Sequence, residues 1–259
     1  MLGADSEMTA LIVLLVSATI AVIALALGPR LADRRIVFAG TPDQPKPFGY
    51  GMSWLAVKSE DTAAVMACLG LEGGVAANWN SGIGTIYDVH LGDAYVFVAP
   101  PVKGWTLIAG VALPHPLGNA FIDKLTPLLM ALSKHFTDVQ YYAAFPIIDL
   151  FGWARLHKGK MVRAFVIGDG GVVLDQGRLT AEEKVLGLKL YDLRGIKGRK
   201  GDAGGAIVLY PTEEQVLRLA SAWSLNPLRL DKIKIAPATG LIVRVPASWR
   251  AERLKQKAA

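Results

Sequence analysis

The sequence contains a single cysteine, Cys68, which excludes a fold held together by intramolecular disulfides. Cys68 lies in an apolar run, and this favours a small buried side chain over a nucleophile. Metal-ligand spacings such as H-x-x-x-H, glycine-rich phosphate loops and the G-x-S-x-G nucleophile elbow are all missing. No specific enzymatic chemistry is therefore indicated, and no cofactor or metal is predicted.

Charge is absent from Met8 to Pro29, and only three of the 20 residues Met8–Leu27 are polar. Twenty helical residues at 1.5 Å each span about 30 Å, the thickness of the hydrocarbon core of a bilayer. The 11 Leu, Ile and Val residues of this run favour insertion by roughly 3 to 7 kcal/mol at helix-centre values. Because Gly28-Pro29 ends the helix, we expect a transmembrane anchor over residues 8–28.

A cleaved signal peptide and a buried core helix are the two alternatives to an anchor. A cleaved signal peptide needs a basic leading segment, but Asp5 and Glu7 stand there instead. The small-x-small pattern Ala24-Leu25-Ala26 keeps cleavage open as an alternative. A buried core helix rarely runs 20 residues without a polar face, so the anchor is favoured.

Basic residues follow the apolar run and do not precede it. Arg30, Arg34 and Arg35 lie directly after the span, and no Lys or Arg comes before it. The positive-inside rule then places the C-terminal part of the chain in the cytoplasm. The sequence therefore predicts a single-pass protein of the cell (inner) membrane with a cytoplasmic domain.

Composition divides the chain into five segments. We predict a short tail at 1–7, the anchor at 8–28, a basic juxtamembrane and Pro-rich tether at 29–48, a soluble domain at 49–249 and a basic tail at 250–259. Elements in the order strand, helix, strands, helix, strands, helix are typical of an α+β fold. We expect one mixed, largely antiparallel sheet with three to four helices.

Local patterns place the elements of this domain. Capping signals predict helices after Ser59-Glu60-Asp61, Thr180 and Thr212, and apolar spacing predicts a long helix within Asn119–Phe136. Alternating and β-branched runs predict the strands. The predicted strands are Met52–Lys58, Gly84–His90, Ala94–Ala99, Trp105–Leu113, Tyr141–Ile148, Gly152–Leu156, Met161–Ile167, Val172–Leu174 and Leu241–Val245. Those from Tyr141 to Leu174 are expected to form an antiparallel meander.

Positive charge is concentrated in the second half of the chain. Residues 28–152 carry eight Lys or Arg against ten Asp or Glu, whereas residues 153–259 carry 20 against ten. Next to a membrane, such cations attract anionic headgroups by about 1 kcal/mol each. The candidate headgroup contacts are Arg30, Arg34, Arg35, Arg194, Lys197, Arg199 and Lys200. A solvated basic surface is the alternative, and nucleic acid is disfavoured because the basic loop has no interleaved aromatic residues.

Two groups of residues are candidates for binding a partner. Asn78, Trp79 and Asn80 surround a tryptophan with amides in a predicted loop, a composition suited to recognition. The alternative is a tryptophan folded back onto its own domain. Arg155 and Arg163 flank a turn on adjacent predicted strands, where they form an outward patch or pair with Asp149 or Asp169.

Two functions from different classes follow from these patterns. The favoured one is a non-enzymatic protein-interaction or regulatory module held at the cytoplasmic membrane face. The alternative is a small-molecule-binding or hydrolytic domain whose site is assembled from scattered polar residues such as Asp88, His90 and Asp149. Clustering of these three side chains would favour the alternative.

Overall fold

The computed structural model describes residues 12–22, 38–118, 120–168, 171–188 and 211–254. The chain divides into two compact units, residues 1–37 and 38–259. In the first unit, residues 12–22 form helix α1. Among the described residues, no helix has both the length and the mean hydropathy of a membrane span. The remainder of the predicted anchor lies outside the described residues, as do Arg30, Arg34, Arg35, Arg194, Lys197, Arg199 and Lys200.

The second unit is built on one sheet of nine strands, in which all neighbouring strands are antiparallel. The strands are β1 (Met52–Val57), β2 (Val75–Asn78), β3 (Tyr95–Val98), β4 (Thr106–Ala109), β5 (Asp138–Phe145), β6 (Leu150–His157), β7 (Lys160–Gly168), β8 (Gly171–Gly177) and β9 (Thr239–Arg244). Their order across the sheet is β2-β9-β3-β4-β1-β5-β6-β7-β8. The predicted α+β class and the meander, β5 to β8, are confirmed.

The described part of this unit contains five α-helices, more than the three to four predicted. They are α2 (Thr62–Leu69), α3 (Trp79–Tyr87), α4 (Leu125–His135), α5 (Ala181–Val185) and α6 (Glu213–Trp223). Three short 3₁₀ turns occur at Pro146–Ile148, Pro227–Lys232 and Ala247–Trp249.

Helices cover both faces of the sheet, so that the central strands are buried on both sides. One apolar cluster joins Trp54 of β1 to α3 and α6, and this side is called the α6 face. The other cluster joins the neighbouring Leu55 to α2 and α4, and this side is called the α4 face. Because successive side chains of a strand point to opposite faces, β1 is buried along all six residues. This explains its continuous apolar sequence.

Most helix boundaries follow the capping signals in the sequence. Asp61 caps α2, and Gly70 ends it in the left-handed conformation at φ 65°. Both predicted capping boxes are present, at Thr180 for α5 and at Thr212 for α6. Each cap satisfies backbone N–H groups that the first helical turn leaves without partners.

Helix α3 is the main error of the sequence prediction. The strand predicted at Gly84–His90 is wrong, and so is the loop at Asn78–Gly82, because these residues begin and continue α3. Asn78 caps the helix by accepting from Ser81 N at 2.9 Å. Gly82 permits close packing against the sheet, since a Cβ there would overlap the ring of Phe97.

Residues 38–48, the described part of the predicted tether, are extended but hydrogen-bonded to the domain. The Asp43 carboxylate accepts from the backbone N–H groups of Trp79 at 2.7 Å and Asn80 at 3.1 Å. Phe48 is buried on the α6 face. Asp43 therefore supplies a second cap for α3 from far away in the sequence, at the helix end where a carboxylate is favoured.

The long predicted helix within Asn119–Phe136 begins only at Leu125. Ahead of it, residues 120–122 lie antiparallel to residues 252–254 and exchange backbone hydrogen bonds with them. The bonds are Ile122 N to Glu252 O at 2.8 Å and Leu254 N to Ala120 O at 2.9 Å. This pairing holds the C-terminal segment beside the start of α4.

Candidate functional site

Asn78, Trp79 and Asn80 are placed by the structure at the start of α3 rather than in a loop. The side chain of Trp79 is fully buried and packs edge-on against Phe97, with ring centroids 5.5 Å apart. Its indole Nε1 finds no acceptor among the described residues. Asn78 is committed to capping, and only Asn80 is exposed. The alternative of a tryptophan folded onto its own domain thus describes Trp79.

Arg155 and Arg163 are cross-strand neighbours on β6 and β7, as their predicted positions required. They form no outward patch. The guanidinium of Arg155 donates from Nη2 to Asp138 Oδ2 at 2.7 Å and lies over the ring of Trp223. Arg163 is 1% exposed. Both arginines therefore form ion pairs, but with Asp138, Asp175 and Glu183 rather than with the predicted Asp149, and Asp169 lies outside the described residues.

Arg163 belongs to a closed charge cluster that comprises Arg163, Asp175 and Glu183. Its Nε donates to Glu183 Oε1 at 2.9 Å, and its Nη1 donates to Asp175 Oδ1 at 2.6 Å. The same Glu183 oxygen accepts from Trp153 Nε1 at 2.8 Å, and Oε2 accepts from Thr180 N at 2.7 Å. One carboxylate therefore neutralises Arg163, satisfies an indole and caps α5.

A second buried network connects β5 and β6 to the end of α6. Gln140 donates from Nε2 to Asp138 Oδ1 at 3.0 Å. Its Oε1 accepts from Tyr142 at 2.7 Å and from Ser224 at 2.6 Å. Burial raises the pKa of Tyr142 well above its usual value, so the hydroxyl stays protonated and donates. The polar groups of this network are thus hydrogen-bonded to one another, and these bonds hold α6 against the sheet.

No hydrogen bond or ion pair between side chains joins Asp88, His90 and Asp149 to one another in the part of the chain that the structure describes. The Asp88 carboxylate accepts from the backbone N–H groups of His90 and Leu91, which builds the turn after α3. Asp149 lies in the hairpin between β5 and β6 and follows its 3₁₀ turn. In the described ranges, no three His, Cys, Asp or Glu side chains are grouped closely enough to hold a metal ion.

A cleft of about 200 Å³ opens at one end of the sheet, and sequence reasoning did not find it. We call this end the β1-start end, because Met52 of β1 lies there. The strand registers bring Arg244 and Ala144 to the same end. The cleft is lined by Asp93, Ala94, Val111, Ala112, Leu113, Pro114, His115, Leu117, Ile122, Lys124, Arg244, Val245, Trp249, Arg250 and Ala251.

The charged side chains of the cleft differ from those under α5. Arg244 and Arg250 are exposed and have no ion-pair partner in the described part of the chain. Lys124 pairs with Glu252 at 3.0 Å across the rim. Asp93 is the one carboxylate in the lining. Cations therefore outnumber acids in a recess that water reaches.

His115 lines the same cleft. Its Nδ1 lies 2.9 Å from the carbonyl oxygen of Leu113, and this contact requires a proton on Nδ1. Burial lowers the pKa of His115 below its ordinary value, and the bond to Leu113 opposes this only in part. The neutral imidazole thus keeps Nε2 as an acceptor.

An exposed apolar tip adjoins the cleft at the β1-start end. Ile147 and Ile148, in the turn between β5 and β6, are 98% and 56% exposed. Tyr50, which precedes β1, is half-exposed. The rings of His115 and Phe145 are in contact, with centroids 5.7 Å apart, and Phe145 directly precedes the turn that contains Ile147 and Ile148. Apolar surface and free charge therefore meet at one end of the molecule.

The cleft carries no local signal in the sequence because its lining comes from three distant stretches of chain. The turn before β3, the segment between β4 and α4, and the chain after β9 are each unremarkable alone. Only the order of the strands brings them together. Comparison of the chain with protein-family models, with curated proteins and with solved structures finds no match.

Proposed function

We propose that the protein is a non-enzymatic binding module held at the cytoplasmic face of the inner membrane by a single N-terminal helix. The uncharged run Met8–Leu27 supports the anchor by its length and hydropathy. Arg30, Arg34 and Arg35 behind it support the orientation. These arginines and the basic loop 194–200 are proposed to contact anionic headgroups.

One observation carries the binding role. Free charged groups and exposed apolar side chains are gathered at the β1-start end, whereas the buried ions under α5 and α6 are paired internally. Paired ions of this kind hold helices on the sheet, and their donors and acceptors are already hydrogen-bonded, so none is left to bind a substrate. A contiguous end with apolar and charged side chains is the usual composition of a recognition surface.

The favoured partner is a protein that contacts the apolar tip. A solvent-exposed isoleucine pair and a half-exposed tyrosine at the same end of the sheet offer apolar area that an interface would remove from water. Each fully buried isoleucine would contribute about 1.5 to 3 kcal/mol to such an interface. The adjoining charges of the cleft would supply a polar rim.

The anchor is tested by fractionation of the full chain. Leu14→Arg places within the span a charge that costs about 2.5 to 3.5 kcal/mol at helix-centre values. We expect the unchanged chain to stay in membranes at alkaline pH and the variant to be released in part. Recovery of the unchanged chain in the soluble fraction would contradict the anchor.

Orientation is tested by thiol labelling, since the chain has one cysteine to remove. In a Cys68→Ser background, Glu60→Cys provides an exposed thiol in the domain. We expect an impermeant maleimide to label it only after the inner membrane is opened. Labelling with the inner membrane closed would reverse the orientation.

The protein partner is tested by cross-linking the full chain in its native membrane. Ile147→Ser with Ile148→Ser is expected to remove the cross-linked protein species, because the apolar contact is lost. Val185→Ser is the matched control, since Val185 is 87% exposed on α5. Equal cross-linking by tip variant and control would contradict this surface.

The cleft favours a second candidate function, small-molecule binding. Its volume of about 200 Å³ is below the range of roughly 300 to 1,000 Å³ that is usual for drug-sized ligands. The candidate ligand is consequently a compact molecule. In this role the module would respond to a metabolite while the apolar tip contacts its partner.

A further inference from the structure

The cationic side of the cleft comes from rigid elements. Arg244 is the last residue of β9 and lies opposite Tyr95 of β3 in the ladder. Arg250 follows the 3₁₀ turn that contains the buried Trp249. The pairing of residues 120–122 with 252–254 closes the side that carries Lys124. Three cationic groups are therefore held at a common recess instead of being spread over mobile chain.

Arginine suits this position better than any neutral donor. A guanidinium offers five N–H groups in a planar fork, which matches the oxygens of a carboxylate or phosphate. Arg163 shows the opposite case, because its N–H groups donate to acceptors of the protein itself. The forks of Arg244 and Arg250 have no ion-pair partner in the described residues.

The other residues of the cleft determine which uncharged groups an anionic ligand can have. Leu117, Ile122 and Trp249 form an apolar wall, which a purely ionic ligand would leave unfilled. His115 offers a neutral acceptor, and Asp93 a charged one at the exposed rim. Both acceptors favour a ligand with a hydroxyl or amine donor in addition to its anionic group.

We propose that this cleft binds a small organic anion, with its carboxylate or phosphate on Arg244 and Arg250 and its compact apolar body against Trp249. The proposal deepens the second candidate function and rests on it. The ligand class is a monoanionic or dianionic metabolite of about a dozen non-hydrogen atoms, as the ligand-efficiency range and the size of the cleft suggest. A lipid headgroup would present the same phosphate chemistry from a different source.

The test is calorimetric titration of the full chain in a neutral detergent. Phenyl phosphate combines the expected anion with an apolar ring, and its expected dissociation constant is about 0.1 to 1 mM. Inorganic phosphate lacks the ring and benzyl alcohol lacks the charge, so each is expected to bind at least tenfold more weakly. Equal affinity for inorganic phosphate would overturn the role of the apolar wall.

Paired variants locate the site. Arg244→Ala with Arg250→Ala is expected to weaken phenyl phosphate at least tenfold. Arg218→Ala with Arg229→Ala is the matched control, because it removes two exposed arginines outside the cleft lining. An affinity of the cleft variant within threefold of the unchanged chain would overturn the proposal. The same loss in both variants would also overturn it, since the attraction would then be general.

A second arm distinguishes the two sources of phosphate. Phosphatidylcholine vesicles with and without phosphatidic acid replace the soluble probe. We expect the cleft variant to lose phenyl phosphate binding and to keep its vesicle binding. Loss of vesicle binding alone would assign the cleft to lipid and overturn the metabolite. Failure of either arm leaves the membrane and cross-linking results unchanged, so the anchored-module proposal is judged separately.

Discussion

Arginine side chains occupy two contrasting environments in this molecule, one in which the guanidinium is hydrogen-bonded within the protein and one in which it has no ion-pair partner among the described residues. Arg163 is almost completely buried, and its guanidinium is filled by Glu183, Asp175 and backbone carbonyls. Arg244 and Arg250 border an open cleft and have no ion-pair partner in the described residues. Burial demands that every donor be satisfied from within. An exposed guanidinium keeps its N–H donors available to water or to a ligand.

The comparison explains why closely spaced charges in the sequence do not by themselves predict a free cationic surface. In the sequence, Arg155 and Arg163 stand out because they flank a turn on adjacent predicted strands. That closeness is real, but it brings each of them to an internal acid. Residues with no conspicuous spacing, Arg244 and Arg250, meet at the surface.

The largest expected effect comes from breaking the closed cluster. Glu183→Ala removes one acceptor of Arg163, the acceptor of the Trp153 indole and one half of the capping box of α5 at once. Arg163 keeps Asp175 as a counter-charge, but its Nε and the indole of Trp153 lose their buried acceptor, and each unsatisfied donor is expected to lower the free energy of unfolding by about 1 to 3 kcal/mol. Urea denaturation of the full chain in detergent, followed by circular dichroism, measures it.

A double variant separates the charge from the contacts. Arg163→Met with Glu183→Met removes the buried guanidinium together with its buried acceptor and leaves the partly exposed Asp175 to water, so it is expected to recover stability relative to Glu183→Ala. A double variant as unstable as the single one would mean that packing and capping, rather than the unsatisfied donor of Arg163, dominate.

An intermediate effect is expected at Asp138, because its partner is partly exposed. The Arg155 side chain retains 26% of its surface, so water can solvate the guanidinium after the acid is lost. Asp138→Ala is therefore expected to cost about 1 to 3 kcal/mol, the usual penalty for unmade charged hydrogen bonds. A loss equal to that of Glu183→Ala would show that exposure does not distinguish the two ion pairs.

The cleft arginines are expected to contribute almost nothing to stability. Arg244→Ala with Arg250→Ala should change the free energy of unfolding by no more than about 0.5 kcal/mol, as surface substitutions usually do. The same denaturation assay measures this. A larger loss would place the two arginines among the structural ion pairs and would remove the contrast with Arg163.

The success of the sequence prediction depended on how local each signal was. The meander β5 to β8, the strand β1 and both capping boxes depend on residues a few positions apart, and all were found. Helix α3 was missed because two glycines weaken its propensity and Asp43 caps it from a distance. The cap at Asn78 is a local feature of α3 that the sequence prediction did not use.

The candidate sites depended on non-local information and were mostly beyond the sequence. Nothing local shows that Trp79 points into the core, because Gly82 lets α3 approach Phe97 only once the sheet exists. The cleft needs β9 to insert beside β3, a pairing between strands about 140 residues apart. Its lining could be recognised only after that topology was known.

The smallest expected effect concerns pH and the cleft. Burial lowers the pKa of His115 in the folded protein, so below about pH 6.5 the unfolded chain binds more protons at this residue. The contribution of His115 to stability should therefore fall as the pH drops from 7.5 to 5.5. His115→Gln provides the comparison, since the other histidines cancel in the difference.

Phenyl phosphate links this titration to the contrast between the two arginine environments. An anion bound in the cleft would stabilise the protonated imidazole, so saturating probe is expected to flatten the fall in stability of the unchanged chain. Denaturation at three pH values, with and without probe, measures the slope. An unaltered slope in saturating probe would mean that the anion does not sit beside His115. The Glu183→Met and Arg163→Met pair should leave the slope as it is, because the closed cluster lies on the α6 face and has no part in the cleft.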